Sequence, residues 1–257
     1  MFELSIYLQG LGVAVVVAVA TWLLSLALRN VSIVDSVWSL MFLGEALAYA
    51  HAAPALGSRA RLILLLVAIW ALRLALHITW RNRGHGEDRR YQAIRARNQP
   101  NFEFKSLYLV FLLQAALAWI ISLPLLAAVL GQAPLGVLDD AGAALWILGF
   151  VFEAGGDWQL TRFMADPANR GKVMDRGLWR YTRHPNYFGD FAVWWGFYLL
   201  ALGAGGWWSI AGPILMSVLL MRVSGVTLLE QDITERRPQY ADYIRRTNAF
   251  FPGPPRA

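Results

Sequence analysis

Apolar residues fall into seven runs along the chain, and several of these runs are as long as a membrane-spanning helix. A helix needs about 20 consecutive, predominantly apolar residues to cross a lipid bilayer. We therefore predict an all-α, polytopic membrane protein in which a single membrane domain occupies residues 1–257. The predicted transmembrane spans are residues 4–27, 33–51, 62–81, 106–130, 139–160, 187–202 and 207–229, and a tail follows at 230–257.

Cationic residues lie on one side of these predicted helices. The loops at 81–105 and 161–185 carry seven and six Lys or Arg residues, the tail carries five, and the first short loop carries one. The alternate loops hold only Arg59 and Arg61. Because cytoplasmic loops of membrane proteins are enriched in Lys and Arg, this bias predicts an N-terminus outside and a C-terminus in the cytoplasm.

The composition agrees with a membrane protein, since 57% of the 257 residues are hydrophobic and only 16% are charged. A typical soluble domain has about 25% charged residues. The net charge of +6 lies in blocks between the apolar runs, which favours cytoplasmic loops over a nucleic-acid surface. Cysteine is absent, which excludes disulfides, thiolate metal sites and cysteine nucleophiles, and four histidines are too few for a di-iron desaturase. We predict no metal site.

Several charged residues lie inside the predicted spans, where each must be paired or must face water. Asp35 lies in the second span, Arg73 and His77 in the third, and Glu153 and Asp157 in the fifth. Arg73 and His77 are four residues apart, so they share one helix face, as do Glu153 and Asp157. With the predicted orientation these groups lie in the cytoplasmic half, which indicates a polar cavity open to the cytoplasm. The alternative is a set of interhelical ion pairs that hold the bundle together.

Two cytoplasmic segments suit the binding of an anion. RNRGHGEDRRYQ at 81–92 combines arginines, which match phosphate geometry, with glycines that let backbone amides approach a ligand. The alternative for this loop is internal salt bridging. In RGLWRYTRHPNYFGD at 176–190, Pro185 suits the first turn of a helix, and cations flank that helix N-terminus. The amphipathic tail at 230–252 either closes over the cavity or lies on anionic lipid.

These motifs resemble a known superfamily. Asn82-Arg83-Gly84, the segment GLWRYTRHPNYFGD, Glu230 and the tail YxxYxRRTNAFFP are similar to the steroid 5-alpha-reductase superfamily, and GEDRRY and the tail resemble an uncharacterised bacterial branch of it. The resemblance implies a seven-helix reductase, in a bacterial inner membrane, that binds NADPH in a cytoplasmic cavity. Such enzymes deliver hydride to a carbon–carbon double bond conjugated with a carbonyl. The cofactor contacts implied by the resemblance are Asn82, Arg83, Asp157, Arg180, His184, Asn186, Tyr187, Asp190, Tyr240 and Arg246.

The catalytic residues depart from that superfamily. Steroid reductases use a Gln-Glu pair in the second helix and a tyrosine in the third helix to polarise the substrate ketone. Here the second span offers Asp35 and no Gln-Glu pair, and residues 62–81 contain no tyrosine. We expect His77 or Arg73 to donate the hydrogen bond instead, with Asp35 fixing its orientation. A histidine is a suitable proton donor near neutral pH.

A methyltransferase shares some of these landmarks. The isoprenylcysteine carboxyl methyltransferases, which bind S-adenosylmethionine, also have an RHPxYxG segment and a glutamate before a tyrosine-rich tail. The matching residues are Arg183, His184, Pro185, Tyr187, Gly189 and Glu230. Seven spans and the basic loop at 81–92 favour the reductase, because a bisphosphate cofactor needs positive charge. A transporter or a haem protein is less favoured. We expect the bilayer and an apolar, steroid-like or other lipid substrate as partners, with no nucleic acid and no obligate protein partner.

Overall fold

The structure is a computed structural model, and it describes residues 2–223, 226, 230, 233 and 237–256. The described residues form helices joined by short loops, with no strand among them. The α-helices are α1 Leu4–Leu28, α2 Ile33–Ala52, α3 Ser58–Asn82, α4 Arg89–Arg97, α5 Phe102–Ser106, α6 Leu113–Ile121, α7 Leu123–Leu130, α8 Val137–Ala165, α9 Pro185–Gly203, α10 Ala211–Val218 and α11 Tyr240–Arg246.

Among the described residues, four helical stretches are long and apolar enough to cross a membrane. They are α1, α2, α3 and the stretch Phe102–Ile121, which joins α5 to α6 through a π-helical segment, Leu107–Leu112. Trp207–Val223 is a shorter apolar helical stretch, and part of the seventh predicted span, at residues 224, 225 and 227–229, lies outside the described residues. The helices therefore suit a lipid bilayer by length and composition. The count of seven spans and the orientation of the termini stay predictions.

The chain divides into two compact units, and the prediction of a single membrane domain stays a prediction. The first unit comprises Met1–Gly136 and Leu200–Ser209, and the second comprises Val137–Leu199 and Ile210–Ala257. The hydrophobic pattern does not reveal this division, because apolar helices occur on both sides of residue 136.

Within the first unit, α1 packs against α2 through small residues. Gly10, Ala14 and Ala18 are four residues apart and buried, so they form one stripe along the helix. A Cβ atom added to Gly10 would lie 2.4 Å from the ring of Tyr49 on α2. Small residues permit this close approach of helices, which is the usual basis of packing in a bilayer. The large apolar side chains of α1, such as Val16 and Leu23, are left exposed on its outer surface.

The fourth predicted span, 106–130, is not a continuous α-helix. The α-helical pattern is interrupted by the π-helical segment and again at Ser122, where α6 ends and α7 begins. Pro124 explains the second interruption, because proline has no backbone N–H and its ring clashes with the carbonyl four residues earlier. The third span also differs, since α3 begins at Ser58 rather than residue 62. Arg59 is buried there and donates to the carbonyl oxygens of Ala133 and Pro134.

In the second unit, glycines bring α8 and α9 into close contact. Gly149 and Gly156 on α8 and Gly189 and Gly196 on α9 each repeat after seven residues, or about two helical turns. A Cβ atom added to Gly189 would lie 2.3 Å from the backbone nitrogen of Glu153. The first turn of α9 is therefore held directly against the part of α8 that carries Glu153 and Asp157.

Candidate functional site

A buried ion pair between Arg183 and Glu230 lies at the centre of the polar contacts in the second unit. Arg183 Nε donates to Glu230 Oε1 at 2.7 Å, and Nη2 donates to Oε2 at 2.8 Å. His184 Nε2 lies 2.9 Å from the same Oε1 atom. Arg183 and His184 are only 7% and 4% exposed. Bidentate, charge-assisted contacts of this kind are among the strongest hydrogen bonds in proteins.

The charges around Glu230 keep its carboxyl group ionised. Burial raises the pKa of Glu230, but the hydrogen bonds from Arg183 and His184 and their charges outweigh this effect and lower the pKa to about 2. Burial lowers the pKa of Arg183, but the hydrogen bond to Glu230 and its charge give a net increase. The pair is therefore charged on both sides at neutral pH. In the sequence, Arg183 and His184 suggest an anion site, and the structure places the chain's own carboxylate on both of them.

The C-terminal residues 247–256, which we name the C-terminal strap, lie along residues 179–184. The Arg183 backbone N–H donates to the Asn248 carbonyl at 2.9 Å, and the Gly253 N–H donates to the Tyr181 carbonyl at 3.0 Å. Thr182 Oγ1 donates to the Phe250 carbonyl at 2.8 Å. Arg183 also reaches the strap, since its Nη1 donates to the Thr247 carbonyl. The strap is thus fixed by backbone and side-chain hydrogen bonds.

Four of the predicted cofactor contacts meet at the beginning of α9, which starts at Pro185 as predicted. Asn186 Nδ2 donates to Asp157 Oδ1 at 3.1 Å. The ring of Tyr187 stacks on the ring of His184, with 5.7 Å between the ring centroids. Asp157, His184, Asn186 and Tyr187 therefore form one polar group at the close contact of α8 and α9.

Two further predicted contacts, Asp190 and Tyr240, lie in the same unit. Asp190 is half-buried, one helical turn beyond Asn186 on α9, and takes part in further interactions. Tyr240 is buried at the start of α11, where burial and the charge of Glu230 raise the pKa of its phenol. Tyr240 is therefore neutral and able to donate a hydrogen bond at physiological pH.

A cavity of about 510 Å³ in the second unit is lined mainly by arginines. It contains Arg180 and Arg246, two of the predicted cofactor contacts, and we name it the cationic cleft. Its lining residues are Asp175, Arg176, Arg180, Arg246, Thr247, Pro255 and Arg256. Arg176 and Arg256 are not among the predicted site residues. Arg176 lies in the segment 176–190, which the sequence predicts to bind an anion. No motif in the sequence indicates Arg256.

The acidic partner in the cleft is weakly held. Arg246 Nη2 lies 3.4 Å from Asp175 Oδ2, and the two side chains are 51% and 38% exposed. An exposed ion pair of this length contributes little to stability and is easily exchanged for another anion. Guanidinium groups bind phosphate through paired hydrogen bonds. Four of them around one cavity, against a single carboxylate, suit a ligand with several negative charges.

In the first unit, Asp35 is bound by residues of the basic loop at 81–105. Arg90 Nη2 donates to Asp35 Oδ2 at 2.7 Å, and the Tyr91 hydroxyl donates to Oδ1 at 2.5 Å. Both donors belong to α4, a helix within the segment 81–105 that is predicted to be a loop. Asp88 caps α4 by accepting a hydrogen bond from the Arg90 backbone N–H at 2.9 Å. Arg90 and Tyr91 are not among the predicted site residues.

A second set of hydrogen bonds holds the loop at 81–105 to the turn between α1 and α2. Glu87 Oε1 accepts from the Val31 backbone N–H at 2.8 Å, and Arg95 donates to both Glu87 oxygens. Burial raises the pKa of Glu87, but the hydrogen bonds from Arg95 and Val31 outweigh it, so the pKa is lowered. These contacts support the alternative of internal salt bridging for the acidic half of the segment 81–92. The arginines at 81, 83 and 89 are exposed.

The other predicted residues of the first unit lie along α3. Arg73 and His77 are half-buried on one face and each takes part in further interactions. The centroid of the His77 ring lies 6.4 Å from that of Trp80. Asn82 ends α3, and Arg83 follows it as an exposed cap residue. The predicted catalytic residues and these two cofactor contacts thus belong to the first unit, and the remaining cofactor contacts belong to the second. Their assigned roles stay predictions.

The described residues contain no group of three or more His, Asp or Glu side chains suited to a metal ion. For an organic ligand, the cationic cleft and the polar group at the start of α9 offer cations, hydrogen-bond donors and acceptors.

Comparison with known proteins agrees with a family assignment over most of the chain. An uncharacterised protein of Schizosaccharomyces pombe is 25% identical over 287 aligned positions, which cover 96% of this chain and 79% of the relative. No solved structure gives a significant match. The model of a family described as proteins of unknown function, DUF1295, matches residues 21–247. This range includes all of the predicted catalytic and cofactor-binding residues, and the chain therefore belongs to the DUF1295 family.

Proposed function

We propose that the chain is an integral-membrane, multi-pass, NADPH-dependent reductase that acts on a carbon–carbon double bond conjugated to a carbonyl. The proposed substrate is steroid-like or another lipid. The cationic cleft is the main support for this proposal. Arg180 and Arg246 are cofactor contacts implied by the sequence motifs, and both line the cleft together with Arg176 and Arg256. NADPH carries three phosphate groups, and a site for it needs concentrated positive charge.

The residues of the second unit suit the separate parts of this cofactor. The arginines of the cleft would hold phosphate groups, and NADPH would supply the hydride. The Asn186–Asp157 pair, with Asp190 one turn further on, offers donors and acceptors for the ribose and nicotinamide part. Arg183, His184 and Glu230 are bound to one another and to the C-terminal strap, so we assign them the positioning of these elements.

In the first unit, we assign to His77 or Arg73 the hydrogen bond to the substrate carbonyl. A neutral histidine ring has one N–H donor, and a protonated ring has two. Asp35 would set the orientation of that donor while Arg90 and Tyr91 hold its carboxylate in place. The bonds of Arg90 and Tyr91 to Asp35 thus give α4 a positioning role.

A second candidate is a membrane methyltransferase that uses S-adenosylmethionine. The buried contacts of Arg183 and His184 with Glu230 support it, because the same three residues match the motif of the isoprenylcysteine carboxyl methyltransferases. The cationic cleft favours the reductase, since S-adenosylmethionine is itself a cation and four arginines would repel it.

Titration calorimetry on the detergent-purified chain distinguishes these two candidates. We expect NADPH to bind saturably and S-adenosylmethionine not to bind. Replacement of Arg180 or Arg246 by Gln should weaken NADPH binding about tenfold each, the effect of one lost charge-assisted contact. Arg245→Gln is the matched control, because Arg245 lies beside Arg246 on α11 and pairs with Asp242 outside the cleft. Saturable binding of S-adenosylmethionine with no response to NADPH would overturn the proposal.

A further inference from the structure

The cationic cleft is built from two parts of the chain, and the second part extends beyond the region that matches the family. The family match ends at residue 247, whereas Pro255 and Arg256 of the C-terminal strap also line the cleft. The strap therefore supplies a part of the cleft that the family match does not cover. We infer that Arg256, with Arg176, completes a site for a phosphomonoester dianion and thereby makes the cleft selective for NADPH over NADH. This inference rests on the proposed function.

The first part of the cleft is a fixed turn that carries Arg176 and Arg180. The turn Gly177–Arg180 is held to α8 at two points, since Gln159 Oε1 accepts from the Leu178 N–H at 2.9 Å and Trp179 Nε1 donates to the Gly156 carbonyl at 3.0 Å. Gly177 has a φ of +58°, and a Cβ atom there would lie 2.6 Å from Gln159 Oε1. Glycine thus permits the approach that fixes the turn.

The second part of the cleft is the C-terminal strap, which returns Arg256 to the end of α11. The Arg256 backbone N–H donates to the Arg246 carbonyl at 2.8 Å, and Arg256 Nη2 donates to Asn248 Oδ1 at 3.0 Å. The bond from Gly253 to Tyr181 fixes the strap upstream of Arg256. Two arginines ten residues apart in sequence therefore line the same cavity. Because the backbone holds Arg256, replacing its side chain leaves the course of the strap intact.

The charge in the cleft suits a dianion better than a monoanion. The four guanidinium groups face one carboxylate, Asp175, in a pair that is long and exposed. A phosphomonoester carries close to two negative charges at neutral pH, whereas each phosphate of a pyrophosphate bridge carries one. NADPH differs from NADH only by a phosphomonoester on the adenosine ribose. A cleft that recognises this group would separate the two cofactors without contacting the nicotinamide.

The test compares NADPH, NADH and adenosine 2′,5′-bisphosphate as ligands of the detergent-purified full chain. We expect Arg256→Gln to weaken NADPH and the bisphosphate about tenfold and NADH less than twofold. Arg256→Lys keeps the charge and loses the paired hydrogen bonds, so it should recover only part of the affinity. Arg245→Gln is the control for a lost surface charge. Deletion of residues 255–257 removes Pro255 and Arg256 and should reproduce Arg256→Gln, while the hydrogen bond of Gly253 keeps the remaining strap in place.

The outcomes separate this inference from the reductase proposal. If NADPH binds and Arg256→Gln weakens NADPH and NADH equally, the selectivity inference fails and the reductase proposal stands. If neither nicotinamide cofactor binds, but the bisphosphate binds and depends on Arg256, the dianion site stands and the reductase proposal fails. A lipid headgroup has the same phosphomonoester chemistry in phosphatidic acid. Displacement of the bisphosphate by dioctanoyl phosphatidic acid at concentrations below those of NADPH would overturn the assignment of the site to NADPH.

Discussion

At the scale of single residues, Glu230 is the point on which the polar core of the second unit depends. It accepts hydrogen bonds from Arg183 and lies within hydrogen-bond distance of His184, two side chains that are almost fully buried. Arg183 in turn bonds to the C-terminal strap. The motif RHPNY therefore has a structural role, in holding the start of α9 to the strap, that is distinct from any contact with a ligand.

Replacement of Glu230 by Gln should destabilise the protein by about 2–3 kcal/mol. Removal of one member of a buried ion pair leaves the other charge without compensation, and partial exposure of Glu230 moderates this loss. Thermal unfolding in detergent measures the change. Asp242→Asn is the control, since it breaks an exposed pair with Arg245 and should change stability by less than about 0.5 kcal/mol. Equal losses of stability from the two substitutions would show that the buried pair of Glu230 stabilises the protein no more than an exposed pair does.

The low pKa of Glu230 gives a second prediction, for the dependence of stability on pH. The pKa is about 2 in the folded protein, compared with roughly 4.3 in an unfolded chain. Because the folded value is the lower one, the stabilisation by the ionised carboxylate is complete above the unfolded value and is lost as the pH falls towards 2. Wild-type protein should therefore lose stability more steeply than Glu230→Gln between about pH 5 and pH 2. Denaturant titrations at each pH measure the free energy of unfolding. If it fell equally with pH in wild type and in Glu230→Gln, the ionised carboxylate of Glu230 would not be the cause of the pH dependence.

At the scale of helices, the close contact of α8 and α9 sets the position of the polar group at Asp157 and Asn186. Each helix presents glycine every seven residues, so backbone meets backbone at Gly149 and Gly189. A bilayer offers no hydrophobic driving force between helices, and close packing of small residues supplies the association instead. The hydrogen bond between Asn186 and Asp157 is formed at this contact.

Gly189→Ala should destabilise the second unit by about 1–3 kcal/mol, the usual effect of forcing an extra carbon into a packed interface. The added Cβ atom would meet the Glu153 backbone nitrogen at 2.3 Å, and backbone is not easily displaced. Gly12→Ala in α1 is the matched control, because a Cβ atom there has nothing within 4 Å. We expect the control to unfold at the wild-type temperature or slightly above it. If Gly12→Ala also destabilised the protein, the effect of Gly189→Ala could not be attributed to the collision of the added Cβ atom with the neighbouring helix.

The helices also show which features the sequence could predict. The hydrophobic runs gave α1 and α2 to within one residue, because burial and lipid contact both require apolar side chains there. The apolar run at 106–130 does not reveal that its helix is interrupted at 107–112 and at Ser122. Pro124 in the sequence does predict the second interruption, because proline breaks a helix. Helix α4 was missed because it has one buried residue, Tyr91, and is held by Asp88 and by ion pairs to distant residues.

The same limit applies to the candidate site. Motif resemblance selected Arg180 and Arg246, which lie in one cleft, and Asn186 and Asp157, which are hydrogen-bonded to one another. It could not select Arg256, because the backbone hydrogen bonds that bring this residue to the cleft leave no pattern of side chains in the sequence. The partners of Asp35 escaped prediction for a related reason, since Arg90 and Tyr91 are more than fifty residues away in sequence.

At the scale of the whole molecule, the predicted roles divide between the two units. The predicted catalytic residues Asp35, Arg73 and His77 belong to the first unit, and the cationic cleft belongs to the second. Substitutions of the predicted catalytic residues should therefore change turnover, and substitutions in the cationic cleft should change cofactor affinity. Kinetics and binding on the same variants measure the two effects separately.

We therefore expect His77→Phe to lower the turnover number at least tenfold while the dissociation constant of NADPH stays within twofold of wild type, because loss of a proton donor typically costs 10²–10⁴-fold in rate. Oxidation of NADPH in the presence of a steroid enone reports turnover, and calorimetry reports affinity. Tyr91→Phe should act in the same direction but more weakly, since Asp35 keeps its bond to Arg90. Arg180→Gln should show the opposite pattern, with weakened affinity and a turnover number near wild type at saturating NADPH. An unchanged turnover number in His77→Phe would remove this residue from the mechanism and leave Arg73 as the donor to be tested.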